Sequence, residues 1–259
     1  MSHQAAICAE WIRNASHIVV LSGAGLSTAA GIPDFRGPQG LYRRASIDEP
    51  EALFDIGRFD ADPSFFYRFH REFLDLLDGL RPTFAHRFFA ALEQQEHLAA
   101  VVTQNIDGLH QAAGSTKVLE IHGGIRTNHC RRCRTSYDLD DVKALLTMEP
   151  VPHCGRCGGV IKPDVVFFGE TVRHLEECQQ EAAEADLLVV VGSSLVVTPA
   201  ALLPSLCRGK IVVVNKGELS PTYLARDRID LYAEEDIDAF FTLVDEALGG
   251  LTTKGGADS

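Results

Sequence analysis

The chain has 259 residues, a hydrophobic fraction of 46% and a net charge of −12, the composition of a folded globular protein with room for one large domain or a large domain carrying a small insertion. The acidic balance argues against a nucleic-acid ligand, and the one dense basic cluster, Arg131, Arg132 and Arg134, reads as solvated surface. No apolar run approaches the roughly 18 residues that span a bilayer and the first residues lack a signal-peptide pattern, so no membrane contact and a cytoplasmic location are expected.

In chain order, the first apolar run is "HIVVLSG", which leads into "GAGLSTAAGIPDFRG". Its glycines fail the G-x-G-x-x-G dinucleotide fingerprint, because position 28 is Thr28 and the third glycine is delayed to Gly31. The loop therefore either binds a nucleotide in its own way or is only a turn. Further short runs follow as "LAAVVTQNID", "KVLEIHG", "PDVVFFGE", "ADLLVVVGSS" and "KIVVVNKGE". Each is rich in Val, Ile or Leu and runs straight into polar or glycine residues, which predicts buried parallel strands with functional groups at their carboxyl ends. Helical stretches are expected at Thr83 to Gln95, Leu175 to Ala185 and Ala200 to Cys207. The fold class is α/β, an open sheet with ligands beyond the carboxyl ends of its strands.

Two segments interrupt that pattern. Residues 38–81 carry the amphipathic helix "DPSFFYRFHREFLDLLDG", and residues 126–161 carry Cys130-x-x-Cys133 and Cys154-x-x-Cys157. Both are assigned to a smaller domain beside the sheet, whose main domain comprises 1–37, 82–125 and 162–250, with a disordered tail at 251–259. The cysteine pairs, with 20 residues between them, match the spacing of two knuckles closing a tetrahedral zinc site. Four thiolates fill the coordination sphere, so the zinc is expected to be structural. His129 and His153 adjoin the ligands and read as turn residues. The seven cysteines, an odd number with four in these pairs, fit a metal site in a reducing compartment better than a disulfide scaffold.

The polar strand ends are the candidate site. "TQNIDGLH" offers Gln104, Asn105 and Asp107, "LEIHGG" offers His122, and "VGSSLVV" and "VVVNKGE" offer Ser193, Ser194 and Asn215. Each alone is ordinary turn composition, but all lie at one inferred sheet edge with the GAG loop. "KPDVVFFGE" reads as core packing or as an edge that takes up an extended peptide against an aromatic wall.

In this order and at these spacings, the GAG loop, "TQNID", "EIHGG", the cysteine pairs, "KPDVVFFGE", "GSSLVVTPA" and "VVNKGE" closely resemble the sirtuin family of NAD-dependent protein lysine deacylases, in its minimal, prokaryotic form. The resemblance runs from about Ile18 to Phe240. It implies a Rossmann-like open parallel sheet with a zinc-binding and helical domain inserted. It implies that Ala24, Gly25 and Thr28 approach the pyrophosphate of NAD, and that Asp34, Phe35 and Arg36 cover the nicotinamide ribose. Gln104, Asn105, Ile106 and Asp107 would hold the ribose and nicotinamide; Ser193, Ser194, Asn215, Lys216, Asp236 and Ile237 would hold the ADP part. Val166, Phe168, Gly169 and Glu170 would bind the acyl-lysine of a protein or peptide.

The implied reaction consumes NAD. The acyl oxygen attacks the nicotinamide ribose, nicotinamide leaves, and His122 acts as general base on the ribose hydroxyls, with Asn105 and Asp107 orienting them. Nicotinamide, free lysine and O-acetyl-ADP-ribose are the expected products. Removal of longer neutral acyl groups and mono-ADP-ribosyl transfer use the same pocket and remain alternatives, and a zinc-ribbon adaptor on an NAD-sensing scaffold is a further one. Ala30 and Gly124 depart from the family pattern without replacing a residue assigned to chemistry.

Overall fold

In the computed structural model, which describes residues 3–33 and 50–254, nine strands form two sheets: β1 (Ile18–Ser22), β2 (Leu98–Thr103), β3 (Val118–Glu120), β4 (Thr127–Cys130), β5 (Ser136–Asp138), β6 (Ile161–Pro163), β7 (Leu187–Val191), β8 (Lys210–Val214) and β9 (Leu231–Ala233). The larger sheet runs β3-β2-β1-β7-β8-β9, and every pairing in it is parallel. The order reverses between β1 and β7, which is the switch point where such sheets open a crevice.

Alternation along the strands explains why both faces are covered. Ile18, Val20, Val101 and Val189 pack on one side with the helices His3–Asn14, Phe84–Gln94 and Ile237–Leu248. Val19, Leu21, Val102, Leu188 and Val190 pack on the other with the helix Leu175–Glu184 and the 3-10 helix Ala200–Leu206. A strand buried on both faces reads as a continuous apolar run, which is how five of the six were visible in the sequence. The sixth, β9, is only three residues long and was not foreseen.

The small domain joins the two interrupting segments. Asp62 caps the helix Pro63–Leu77 by accepting from the Ser64 amide, with Pro63 in its first turn. Its buried face, including Phe66, Tyr67, Phe69 and Phe73, packs with Cys130, Cys154, Ile161 and Phe167. The second sheet, β5-β4-β6, is antiparallel.

Three expectations need correction. "PDVVFFGE" is not a strand of the parallel sheet: β6 ends at Pro163 in the small sheet, and beyond it Phe168 makes only an isolated bridge to Asp55. Lys162 and Pro163, assigned to the main domain, thus belong to the small sheet; buried apolar runs do not announce which sheet they join. The helical stretch expected at Ala200 to Cys207 is present as the 3-10 helix Ala200–Leu206, with Pro204 inside it, a residue without the amide that α-helical pairing requires. Residues 251–254 of the expected tail are ordered, because Leu251–Lys254 is helical and the Asp245 carboxylate accepts from the amides of Leu251 and Thr252 and the Thr252 hydroxyl; the rest of it lies outside the described residues.

The loops after β1 and β7 meet at the switch point. A Cβ on Gly25 would lie 2.8 Å from the Cα of Gly192, and Gly192 itself has φ +61°, where an added Cβ would run into the Leu26 amide nitrogen. Gly192→Ala should therefore lower stability by more than ~2 kcal/mol, measured by urea unfolding; an unchanged midpoint would show that the two loops can separate without cost.

Candidate functional site at the sheet switch point

The loops that leave β1, β2, β3 and β7 interlock through hydrogen bonds. The Gly23 amide donates to Val191 O and the Gly25 amide to Gly192 O, both at 2.9 Å. Asn105, which is buried, donates from Nδ2 to Gly23 O at 3.1 Å and to Ser27 Oγ at 3.2 Å. The Ser27 hydroxyl donates to Asp107 Oδ2 at 2.7 Å, and the Leu109 amide donates to Asp107 Oδ1 at 2.9 Å. Burial pushes the Asp107 carboxyl above its ordinary range, against those two hydrogen bonds. Gln104 Nε2 donates to Ser193 Oγ at 2.8 Å, so the β2 and β7 loops are tied across the crevice.

His122 lies at the end of β3, half-buried, with Nδ1 3.2 Å from Gln104 O. A carbonyl can only accept, so Nδ1 carries the proton and the neutral ring leaves Nε2 as a free base. Burial lowers the pKa of His122 from 6.5, opposed by the Gln104 carbonyl. The peptide oxygen of His122 accepts from the Val166 amide at 2.8 Å, which joins the histidine to the "VVFFGE" segment.

The remaining candidates fall into three groups. Thr28 is exposed and its hydroxyl donates to Gly25 O at 2.9 Å, with Ala24 half-buried beside it. Ser194 is exposed, and Lys216 reaches Asp236 at 3.0 Å. These line the open edge. Others are turned to internal work: Asn215 donates to Gly217 O, Asp236 caps the final long helix, and Ile106 and Ile237 pack in the cores. Asp34, Phe35 and Arg36 lie outside the described residues. The opening glycines are also used differently from the expectation, since Gly23 and Gly25 admit the backbone of Gly192 as well as any ligand.

Within "KPDVVFFGE", Phe168 is exposed, and its backbone is bound by Phe54 O and the Ile56 amide. Gly169 is exposed with φ +93°. Glu170, expected at the substrate, is instead a counter-ion: its Oε2 accepts from Lys162 Nζ at 2.8 Å and the Phe167 amide at 2.9 Å. Buried Lys162 also donates to Val165 O at 2.7 Å and lies 3.9 Å above the Phe167 ring. Burial lowers the Lys162 pKa, and the Glu170 carboxylate opposes that shift. Sequence reading overlooked Ser27 and Lys162, although both sit inside motifs it quoted.

The thiols of Cys130, Cys133, Cys154 and Cys157 lie within 4.8 Å of one another, with Cys130–Cys157 at 3.5 Å and Cys133–Cys154 at 3.6 Å. All four are free of disulfides. Zinc–sulfur bonds of ~2.3 Å in a tetrahedron place sulfurs about 3.8 Å apart, so the residues fit a structural zinc. The Tyr137 hydroxyl donates to Cys154 Sγ at 3.1 Å, a second-layer contact that orients the ligand. His129 and His153 turn away to Asp164 and Glu149.

A model of the Sir2 family matches residues 23–199. The chain belongs to the Sir2 family. Among its relatives, the NAD-dependent protein deacetylase of Thermotoga maritima is 45% identical over 205 residues, covering 77% of this chain and 82% of that one. That of Sulfolobus acidocaldarius is 41% identical over 238 residues, covering 88% and 92%. Among solved structures, a Sir2 protein with a p53 peptide and NAD+ superposes with a TM-score of 0.85 at 39% identity, covering 96% of this chain and 99% of that one. A Sir2 variant with a deacetylated p53 peptide and 3′-O-acetyl-ADP-ribose gives a TM-score of 0.86 at 40% identity, covering 93% and 96%. No helix among the described residues is long and apolar enough to cross a membrane.

The cysteine cluster yields a direct expectation. Metal analysis should find about one zinc per chain, and Cys130→Ala should lose the metal and lower the melting temperature of the small domain, because three thiolates hold zinc poorly. Full stoichiometric activity and unchanged melting after chelation would show that the metal has no structural role.

Proposed function

We propose that the protein removes acetyl groups from lysine side chains of proteins, consuming NAD and releasing nicotinamide and O-acetyl-ADP-ribose. The observation that carries the reading is the His122 tautomer, with a free Nε2 on a half-buried imidazole between the Gln104–Asp107 loop and the Val166 segment. NAD supplies the electrophilic ribose carbon and the nicotinamide leaving group. The protein supplies position and proton transfer. Asn105 and Asp107 orient the ribose, Ala24, Gly25 and Thr28 receive the pyrophosphate, and Ser193, Ser194 and Lys216 serve the ADP part.

His122 takes a proton from a ribose hydroxyl through Nε2 while the Gln104 carbonyl holds Nδ1–H. The acetyl-lysine lies beside Val166 and Phe168, whose amides are held by His122 O and Phe54 O, so the segment is fixed in place and the exposed Phe168 ring is left to meet the substrate. Gly169 gives the turn that ends this segment, and Glu170 acts by fixing the loop through Lys162 rather than by touching substrate. Acetylated protein tails are thus the partners. Nucleic acid is not, given the charge of −12. The free thiols fit a cytoplasmic setting.

Two outcomes check this reading. His122→Ala should keep NAD binding and lose turnover by roughly 100- to 10,000-fold. Because the ring must be neutral to act, the acid limb of kcat/KM in the wild type should have its midpoint below 6.5. Near-normal turnover in the variant would remove His122 from the mechanism. The second concerns the acyl group. Tyr67 is buried and donates to Ile161 O, while burial pushes His70 down to about 3, so it is a neutral ring stacked on Phe66 at 4.9 Å. Arg71 is bound to Glu149 O and Arg68 is exposed. A distal carboxylate finds no guanidinium on the buried face of this helix, so kcat/KM on one peptide should favour acetyl over succinyl by on the order of tenfold or more. Equal values would place a cation in the acyl pocket.

A further inference from the structure

Behind the site, a line of buried polar groups crosses the core and ends at the Asn105 amide. It begins at the helix Phe84–Gln94, where the Thr83 amide donates to His86 Nδ1 at 3.3 Å. A ring nitrogen that accepts from an N–H carries no proton, so the proton of neutral His86 is on Nε2. At the other end, His110 Nε2 lies 2.9 Å from Ser22 Oγ, and the Ser22 hydroxyl donates to Thr103 Oγ1 at 2.8 Å. With that proton used, Ser22 accepts from His110 Nε2–H, which leaves Nδ1 of His110 as a bare acceptor.

His86 therefore presents Nε2–H and His110 a bare Nδ1, and both atoms are buried without a hydrogen-bond partner, so the two rings meet only edge to face. Their ring centroids are 4.8 Å apart. Burial lowers the pKa of both, His110 to about 3, so both rings are neutral and the direction of the line is fixed. Thr103 Oγ1 then accepts from the Asn105 amide at 3.1 Å. Ser22 and Thr103 are register partners at the ends of β1 and β2, and Asn105 is the second residue after the strand.

We propose that His110 is a positioning residue for the nicotinamide-ribose loop, holding the Asn105 backbone through Ser22 and Thr103 while the His86 ring packs against it from the opposite helix. The inference rests on the role proposed above for Asn105. His110 is 1% exposed, so it touches neither NAD nor peptide. Its effect passes through geometry: the Thr103 hydroxyl fixes the amide at which the chain leaves the sheet, and small displacements of a group that orients a reacting centre cost rate steeply.

The test compares His110→Gln, His110→Leu and Ser22→Ala in the full chain, reading melting temperature, peptide KM, and kcat with acetylated peptide and NAD. Glutamine keeps a donor that can reach Ser22, whereas leucine fits the apolar surroundings and keeps none. The expected result is a fall in kcat of about 10- to 100-fold for His110→Leu and Ser22→Ala, with peptide KM within twofold of wild type. His110→Gln should stay within about threefold of wild type. A role in stability alone predicts the reverse order, with leucine at least as active as glutamine, and that order would overturn the proposal. Should His110→Leu not fold, Ser22→Ala decides by itself, and wild-type kcat in a folded Ser22→Ala chain would equally overturn it. A wild-type chain without NAD-dependent turnover would overturn the functional reading instead, and this role with it.

Discussion

The site depends on one close backbone approach, the packing of Gly23 and Gly25 against Gly192 where the sheet reverses its strand order. Two loops can meet there only without side chains. Once they meet, Gly23 O faces Asn105 Nδ2, Ser27 reaches Asp107, and Ser193 accepts from Gln104. The Gln104 carbonyl then selects the His122 tautomer. A single steric condition thus sets the orientation of an amide, a carboxylate and an imidazole that come from two neighbouring strand ends.

The small domain contributes at second hand. Its cysteine cluster closes the β4 end of the antiparallel sheet, and Arg131, next to Cys130, pairs with Asp60 at 2.7 Å and lies 3.7 Å from Glu170. Glu170 and Lys162 clasp the loop that carries Val166 and Phe168. Breaking one side of such a pair leaves an uncompensated charge among apolar groups, which costs more than removing both. Through the Val166 amide the same loop is bonded to His122, so the cysteine cluster, the Val166–Phe168 segment and His122 form one connected framework.

The sequence made the parallel strands legible because a strand covered on both faces is apolar without interruption, as in Leu187–Val191. It also exposed the four ligands, whose pairing is local. It did not reveal which sheet a short apolar run joins, so Val165 to Phe168 was misplaced, nor that Glu170 would be consumed by a lysine eight residues before it. The three-residue β9 escaped because its length carries no period. His86 and His110 gave no signal at all: their significance lies in a meeting across 24 residues of chain, which only the fold creates.

The central claim is that the strand-end framework directs the acyl oxygen of lysine, and not a protein nucleophile, to the ribose carbon of NAD. The most direct measurement uses NAD labelled in its ADP-ribose portion with a defined acetyl-lysine peptide, following nicotinamide, acetyl-lysine and the label together. The account predicts one nicotinamide released for each acetyl group lost, with the label and the acetyl group recovered in the same small molecule. Label fixed on the protein, with the peptide still acetylated, would contradict it.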